Sequence, residues 1–168
     1  MERIGFIGVG LMGHGMARNI LGKGYPLTVM GHRNRAPVDD LVGRGAAEAR
    51  TPRALAERSD IVFLCVTSSA QVEAVVRGAE GLAAGLKTGS VIVDCSTADP
   101  NSTLALAAEL APKGIAYCDA PLGGTPAQAE EGKLSAMVGA DSAVFARIRP
   151  VCEAWAQKVT HLGPVGDG

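Results

Sequence analysis

The sequence Gly-Phe-Ile-Gly-Val-Gly-Leu-Met-Gly, at positions 5 to 13, decides the fold of this chain. An apolar run of strand length covers residues 4–9. Gly8, Gly10 and Gly13 follow the G-x-G-x-x-G spacing where this strand must turn into a helix. Behind them, apolar residues recur at helical spacing: Met12, Met16, Ala17, Ile20 and Leu21. The stretch therefore predicts a strand, a glycine-rich turn and an amphipathic helix.

The glycine spacing suits a turn that binds the pyrophosphate of a dinucleotide. Gly8 would allow the tight turn, Gly10 would let the backbone approach the phosphates, and Gly13 would let the helix lie close to the strand. Free N–H groups at the helix start would point at the anion. Purely structural turns also show this spacing, so the flanking strand and helix carry the prediction. We expect the cofactor-binding residues here to be Gly8, Gly10, Leu11, Met12 and Gly13.

Length and charge limit the other classes of function. A chain of 168 residues is long enough for one domain with a substantial core. Its 16 Lys and Arg residues nearly balance 17 Asp and Glu residues, so no overall field attracts nucleic acid or an anionic membrane. The longest apolar runs have strand length and no leader precedes the first strand, so we expect neither a membrane span nor a secretion signal. We expect a cytoplasmic protein.

Four cysteines, Cys65, Cys95, Cys118 and Cys152, form no C-x-x-C pair and have no histidine at zinc-ligand spacing. Three of them lie in or beside apolar strand-like runs, where a small polarizable side chain packs well. We therefore expect no disulfide, no metal site and no cysteine nucleophile.

The end of the second predicted strand, Leu27–Met30, indicates which cofactor is bound. An Asp or Glu directly after this strand would bind the ribose hydroxyls of NAD. The chain has Gly31, His32, Arg33, Asn34 and Arg35 instead. A guanidinium can bind a phosphate through two hydrogen bonds. A solvated basic loop is the alternative, but the neighbouring glycine turn favours a site for NADP formed by His32, Arg33 and Arg35, with NAD the less favoured cofactor.

Short strand-like runs alternate with capped helical runs along the rest of the chain. Strands are predicted over residues 61–66, 91–93, 115–118, 134–138 and 159–162. Helices are predicted to begin at Thr51-Pro52, at Ser68 with Gln71 completing a capping box, and at Asp99-Pro100. Another helix is predicted over residues 142–156. This alternation predicts an α/β fold with a doubly wound, mostly parallel sheet and helices on both faces.

Ligands of such sheets bind beyond the carboxyl ends of the strands. Besides the glycine turn, this rule brings three loops to the predicted site. Cofactor contacts are expected from Val66, Thr67 and Thr97. Substrate contacts are expected from Ser96, Gly123, Gly124 and Thr125.

The last of these loops also carries the signals of a helix start. Thr125 fits an N-cap, with Pro126 at N1 and Gln128 at N3. Two glycines before a helix start would expose several backbone donors, which suits a carboxylate. A glycine-rich loop that only caps a helix is the alternative.

With these motifs in order, the chain resembles the N-terminal domain of the β-hydroxyacid dehydrogenases, the family of 3-hydroxyisobutyrate dehydrogenase, tartronate semialdehyde reductase and the imine reductases. The motifs are the glycine stretch at 5 to 13, Asp-Cys-Ser-Thr at 94 to 97, Asp-Ala-Pro-Leu-Gly-Gly at 119 to 124 and Gly-Pro-Val-Gly at 163 to 166. The resemblance implies a Rossmann-type NAD(P)-binding domain over residues 1–168. The reaction it implies is hydride transfer between a nicotinamide cofactor and a small β-hydroxy acid or semialdehyde.

Two departures from the family pattern affect the expected activity. The family's substrate loop usually reads Asp-Ala-Pro-Val-Ser-Gly-Gly, whereas Gly123 stands here at the serine and Thr125 at the last glycine. The family's catalytic lysine lies in a G-x-x-x-K stretch, of which Gly168 would be the first glycine. We therefore expect no catalytic residue in this chain and a missing C-terminal helical domain, through which a full-length parent would form a homo-oligomer. A non-catalytic NADP-binding module, or a domain of the imine reductase type, is the alternative.

Overall fold

The computed structural model describes residues 1–31 and 33–168. Its strands are β1 (Ile4–Ile7), β2 (Leu27–Met30), β3 (Ala47–Ala49), β4 (Ile61–Leu64), β5 (Val91–Asp94), β6 (Ala116–Asp119), β7 (Leu122–Gly123), β8 (Leu134–Gly139) and β9 (Ala156–Gly163). Its α-helices are α1 (Leu11–Gly22), α2 (Ala36–Gly43), α3 (Pro52–Glu57), α4 (Ser69–Val76), α5 (Leu82–Gly85), α6 (Pro100–Leu110), α7 (Pro126–Glu131) and α8 (Ser142–Cys152). None of the helices in these two ranges is long and apolar enough to cross a membrane.

The strands form one sheet in the order β3-β2-β1-β4-β5-β6-β8-β7, with β9 paired to β8. The strands from β3 to β6 in this order are all parallel. Strand β8 runs antiparallel to β6 and β7, and β9 runs parallel to β8. The strand order reverses direction between β1 and β4, which makes that position a topological switch point. The predicted doubly wound, mostly parallel α/β fold is confirmed.

Side chains of the central strands alternate between the two faces of the sheet, as strand geometry requires. On β4, Phe63 belongs to the core beneath α1, α2, α7 and α8, whereas Leu64 belongs to the core beneath α3, α4, α5 and α6. Phe63 also stacks on Phe6, with ring centroids 6.0 Å apart, and meets Trp155 edge-on at 6.2 Å. Because helices cover both faces, the loops at the strand ends are the places open to a ligand.

Side-chain caps confirm the predicted helix starts at Thr51 and Asp99. The hydroxyl of Thr51 accepts a hydrogen bond from the N–H of Ala54 at 3.0 Å, and the carboxylate of Asp99 accepts one from Asn101 at 3.0 Å. Each cap satisfies a first-turn donor that has no intrahelical partner. Pro52 and Pro100 then occupy the first helical position, where no N–H is needed.

Only one of the two hydrogen bonds of the capping box predicted at Ser68 is formed. Ser68 accepts a hydrogen bond from the N–H of Gln71 at 3.2 Å, as expected for a cap. The Gln71 carbonyl oxygen, however, accepts the N–H of Thr67 at 2.8 Å and the hydroxyl of Thr67 at 2.5 Å. Gln71 therefore holds the loop before the cap, which is one of the predicted cofactor loops.

Several element boundaries differ from the prediction. Helix α8 ends at Cys152 and not at 156, because the N–H groups of Ala154 and Trp155 form turns to residues three positions back and Ala156 already belongs to β9. Strand β4 ends at Leu64, short of the predicted 66, and β6 begins at Ala116. The elements α2, β3, α5 and β7 were not predicted.

Candidate functional site

The glycine turn lies at the switch point, between the carboxyl ends of β1 and β4. Gly8 has a φ angle of 101°, a conformation that residues with a side chain rarely adopt. A Cβ at this position would collide with the carbonyl oxygen of Cys65, the residue after β4. The two strand ends therefore lie against each other, and glycine is required where the chain turns between them.

The other two glycines of the motif have different surroundings. A Cβ at Gly13 would collide with the carbonyl group of Gly8 and lie 2.9 Å from Cε1 of Phe6, so α1 packs directly on the turn. A Cβ at Gly10 would have no described atom within 4 Å. The structure confirms the packing roles of Gly8 and Gly13. The open space at Gly10 suits a ligand, and its contact with phosphate stays a prediction.

The first turn of α1 presents backbone donors without partners. Within residues 1–31 and 33–168, no atom accepts a hydrogen bond from the N–H groups of Leu11, Met12 or Gly13, and the first helical bond joins His14 N–H to the Gly10 carbonyl at 3.0 Å. No acidic residue lies in this turn. Three donors at the positive end of a helix of 12 residues are suited to bind an anion.

The loop after β2 carries the predicted phosphate-binding arginines, and the structure distinguishes them. Arg33 is exposed and forms no ion pair within the described part of the chain. Arg35 donates to both carboxylate oxygens of Glu48, at 2.6 and 2.9 Å, and to Asp39 at 3.1 Å. Two carboxylates already bind Arg35, so a 2′-phosphate would have to compete with them. The contacts of Arg33 and Arg35 with the cofactor stay predictions. His32 lies outside the described residues.

Glu48 comes from β3 and stands beside the end of β2. Hydrogen bonds from Arg35 hold the pKa of Glu48 below its usual value, so the carboxylate is ionised near neutral pH. Its Oε2 atom would lie 3.0 Å from a Cβ built on Gly31. Gly31, Arg35, Glu48, Ala49 and Arg50 line a cleft of about 510 Å³. Glu48 therefore places a carboxylate beside Gly31, the position where an NAD-binding domain would have its ribose-binding Asp or Glu.

The loops after β4 and β5 are joined by Ser96. Its hydroxyl accepts a hydrogen bond from the N–H of Val66 at 2.8 Å, and the residue is only 6% exposed. Thr67 and Thr97, by contrast, are exposed at the ends of the same two loops. The structure thus gives Ser96 a role in holding Val66, which the sequence did not indicate. Contacts of Ser96 with a substrate, and of Val66, Thr67 and Thr97 with a cofactor, stay predictions.

Asp94 and Tyr117 support Ser96 from inside the sheet, and sequence reasoning missed this role. The carboxylate of Asp94 accepts the N–H of Ser96 at 2.9 Å and the hydroxyl of Tyr117 at 2.9 Å. Burial raises the pKa of Asp94, although both hydrogen bonds favour its charged form. A signal for this role was that Asp94 and Asp119 each follow an apolar strand-like run. The two residues are opposite each other on the parallel strands β5 and β6.

The loop from Gly123 to Thr125 forms a complete capping box. Thr125 accepts the N–H of Gln128 at 3.2 Å, and the Gln128 side chain accepts the N–H of Thr125 at 2.9 Å. Gly123 lies on β7 opposite Ser135 of β8, and Gly124 has a φ angle of 133°. The predicted N-cap is confirmed. The cap uses both the hydroxyl and the N–H of Thr125, so fewer donors remain for a carboxylate than expected.

Helix α7 packs closely on α1, which carries the glycine turn. A Cβ at Gly15 would lie 2.7 Å from the Glu130 nitrogen. The side-chain amide of Asn19 donates to the carbonyls of Ala129 and Glu130 at 2.8 and 3.1 Å. These contacts fix the helix that follows the Gly123 loop against the helix that follows Gly10.

The cysteines behave as core residues. Cys95, Cys118 and Cys152 are buried, and Cys65 is partly buried. Burial raises the pKa of Cys65 to about 11 and that of Cys152 to about 12. Both side chains are therefore thiols near neutral pH, which makes them poor nucleophiles.

A comparison with known families agrees with this geometry. Residues 3–163 match the family described as the NAD binding domain of 6-phosphogluconate dehydrogenase. The chain belongs to this family. Its glycine turn, switch point and strand order are those of a nicotinamide dinucleotide-binding domain.

The chain is also similar to longer proteins. It is 41% identical to 2-(hydroxymethyl)glutarate dehydrogenase of Eubacterium barkeri, with 99% of the chain and 55% of that protein aligned. It is 40% identical to 2-hydroxy-3-oxopropionate reductase of Escherichia coli, with 99% and 56% aligned. The solved structure of Psf3 in complex with NADP+ and 2-OPP superposes with a TM-score of 0.90 at 34% identity, over 97% of the chain and 57% of Psf3. The resemblance to the cofactor domain of the β-hydroxyacid dehydrogenases is confirmed, and the chain spans little more than half the length of these relatives.

Proposed function

We propose that this chain is the NADP-binding domain of an oxidoreductase that transfers a hydride between the nicotinamide and a small β-hydroxy acid or semialdehyde. The observation that carries the proposal is the first turn of α1 at the switch point of the sheet, where no described atom accepts the N–H groups of Leu11, Met12 and Gly13. An anion bound there lies beyond the carboxyl ends of β1 and β4, as expected for the pyrophosphate of a dinucleotide.

The residues of the turn fit such a cofactor. Gly10 leaves open space for the phosphates, and the absence of acidic side chains in the first turn of α1 avoids repulsion. Val66 and Thr97 follow β4 and β5, where the nicotinamide half of the cofactor would pass. Bound nicotinamide would supply the group that donates or accepts the hydride. The protein's part is to bind the phosphates, orient the ring and expose one of its faces to the substrate.

The preference for NADP rests on Arg33. This side chain is exposed, and no carboxylate of the described residues pairs with it. A guanidinium that is not already neutralised can form charge-assisted hydrogen bonds with a 2′-phosphate. The absence of an acid at Gly31 removes the residue that would repel that phosphate. Relatives support a nicotinamide cofactor in general, and Psf3 is a relative solved with NADP+.

For the substrate, the proposal draws on the names of the relatives. One is a 2-(hydroxymethyl)glutarate dehydrogenase and another a 2-hydroxy-3-oxopropionate reductase, both of which name carboxylate compounds. Ser96 and the Gly123 loop are the groups of this chain that we assign to the substrate side. The relatives are nearly twice as long as this chain, and we propose that proton transfer and oligomerisation depend on a helical domain of a full-length parent, as the resemblance implies. A module that binds NADP without catalysis would lack such a domain.

Calorimetric titration of the 168-residue chain with NADP+ and NAD+ tests the proposal. We expect both to bind, NADP+ more tightly, and Arg33→Ser to weaken NADP+ binding by about tenfold as a charge-assisted contact is lost. Arg58→Ser is the matched control, because Arg58 is exposed just before the amino end of β4, at the opposite edge of the sheet. Failure of both nucleotides to bind would refute the proposed function. Equal affinities unaffected by Arg33→Ser would refute the preference alone.

A further inference from the structure

The cleft beside β2 and β3 is lined by two cations, Arg35 and Arg50, and one anion, Glu48. Arg35 reaches it from the loop after β2, and Glu48 reaches it from β3. The Nη1 and Nη2 atoms of Arg35 each donate to one carboxylate oxygen of Glu48, and Nη2 also donates to Asp39. Two carboxylates therefore share the guanidinium of Arg35, and Arg50 is a second cation in the cleft lining that acts on Glu48 without a direct contact.

Arg35 and Glu48 together occupy the space that a side chain at Gly31 would fill. A Cβ on Gly31 would collide with Nη1 of Arg35 and would lie 3.0 Å from Glu48 Oε2, so the carboxylate stands beside the place where an acid at the end of β2 would put its side chain. The backbone explains this position. Strands β2 and β3 are parallel, with Val29 opposite Glu48 and Met30 opposite Ala49. Glu48 is thus one residue before the strand end and can lean across the end of β2.

We infer that Glu48 limits the preference of this site for NADP over NAD. Its carboxylate accepts hydrogen bonds from the ribose hydroxyls of NAD and repels the 2′-phosphate of NADP. The inference rests on the proposed function and concerns the adenosine end of the same cofactor site. Each carboxylate oxygen that accepts a bond from Arg35 retains another lone pair for a ribose hydroxyl. The same negative charge repels a phosphate and keeps Arg35 neutralised. Arg33 attracts the phosphate while Glu48 opposes it.

The opposite role for Glu48 leads to a different expectation. If Glu48 only held Arg35 in place to bind the phosphate, removing its charge would release Arg35 and weaken NADP+ binding. If Glu48 opposes the phosphate, the same change makes the guanidinium available and strengthens NADP+ binding. The two roles therefore predict shifts of opposite sign for one substitution.

The test is titration of the 168-residue chain and its Glu48→Gln variant with NADP+ and NAD+. We expect the affinity ratio of NADP+ to NAD+ to rise about tenfold in the variant, through tighter NADP+ binding and weaker NAD+ binding. Adenosine 2′,5′-bisphosphate and AMP should show the same shift, because they carry only the adenosine end. Asp39→Asn is the matched control: Asp39 also contacts Arg35 but lies outside the cleft lining, and its variant should keep the ratio within about twofold.

The outcomes separate the inference from the function beneath it. Absence of binding by either dinucleotide to the unmodified chain overturns both. Binding with a ratio that Glu48→Gln leaves unchanged or lowers overturns the inference and leaves the proposed function standing. An equal shift with Asp39→Asn also overturns it, since any counterion of Arg35 would then suffice. Urea unfolding of each variant confirms that the folded protein is being titrated.

Discussion

The hydroxyl of Tyr117 donates a 2.9 Å hydrogen bond to Oδ2 of Asp94. Both residues are buried, and they lie on the neighbouring strands β6 and β5. The other oxygen of Asp94 accepts the N–H of Ser96, whose hydroxyl in turn accepts the N–H of Val66. A carboxylate inside the sheet is thus connected through two hydrogen bonds to the loop after β4. This connection fixes the relative positions of two loops of the candidate site.

Replacing Asp94 with asparagine should change how stability depends on pH. Burial raises the pKa of Asp94 in the folded state above its unfolded value near 3.8. The protonated form is therefore favoured by folding, and its contribution to stability is lost as the pH rises from the unfolded pKa through the folded one. The amide of the variant does not titrate. The free energy of unfolding of the unmodified chain, minus that of Asp94→Asn, should fall with rising pH by about 1.4 kcal/mol for each unit of the pKa difference.

Urea unfolding followed by fluorescence, at a series of pH values rising from the unfolded pKa of Asp94, measures this difference. Trp155 is the one tryptophan of the sequence and is fully buried, so its emission reports on unfolding. Titrating groups that do not interact with Asp94 are common to both proteins and cancel in the subtraction. A difference that stays constant, or that rises with pH, would contradict the raised pKa.

Gly13→Ala should destabilise the fold and weaken dinucleotide binding together. The added Cβ collides with the carbonyl of Gly8 and lies 2.9 Å from Phe6, so α1 must move off the turn, at a cost of about 3 kcal/mol. Gly22→Ala is the control in the same helix, because a Cβ there meets nothing within 4 Å. It should leave binding intact and stabilise the helix by roughly 0.5 kcal/mol. The measurements are urea unfolding and NADP+ titration, and equal effects of the two substitutions would contradict the packing argument.

Thr125→Ala should cost about 1 kcal/mol of folding stability, because it removes a side-chain cap from α7. Thr125→Ser keeps the hydroxyl that accepts the Gln128 N–H and should cost only a few tenths of that value. Thermal or urea unfolding of the two variants distinguishes them. If both variants are as stable as the unmodified chain, the capping box does not contribute to folding and the threonine would be free for another role.

The sequence was sufficient to predict the central strands and the switch-point turn, because their signals are local. A run such as Ile61–Leu64 is apolar at every position, as a strand buried on both faces requires. The glycines at 8 and 13 are needed by backbone geometry, and that need is visible in their spacing. Strand β3 was missed because Ala47–Ala49 is three residues long and contains no residue of high β propensity.

Contacts between side chains distant in sequence could not be predicted in the same way. Arg35 and Glu48 meet only because β2 and β3 are neighbours, so the sequence showed an available arginine where the folded protein has a paired one. The same limit applies to Ser96, which the sequence assigned to the substrate and whose hydroxyl in the folded protein accepts the N–H of Val66 from the loop after β4. Both differences bear on the site and leave the predicted fold unchanged.

Ser96→Ala and Thr97→Val should therefore have different consequences, although the residues are adjacent. Removing the Ser96 hydroxyl leaves the partly buried N–H of Val66 without its acceptor, which should cost about 1 to 2 kcal/mol of folding stability. Thr97 is exposed, so Thr97→Val should change stability by less than about 0.5 kcal/mol. Because Val66 belongs to the loop beside the glycine turn, Ser96→Ala should also weaken NADP+ binding in the chain itself. Urea unfolding and NADP+ titration of both variants give the comparison. A Ser96→Ala variant with unchanged stability would show that water replaces the lost acceptor, and the serine could then be assigned to the substrate alone.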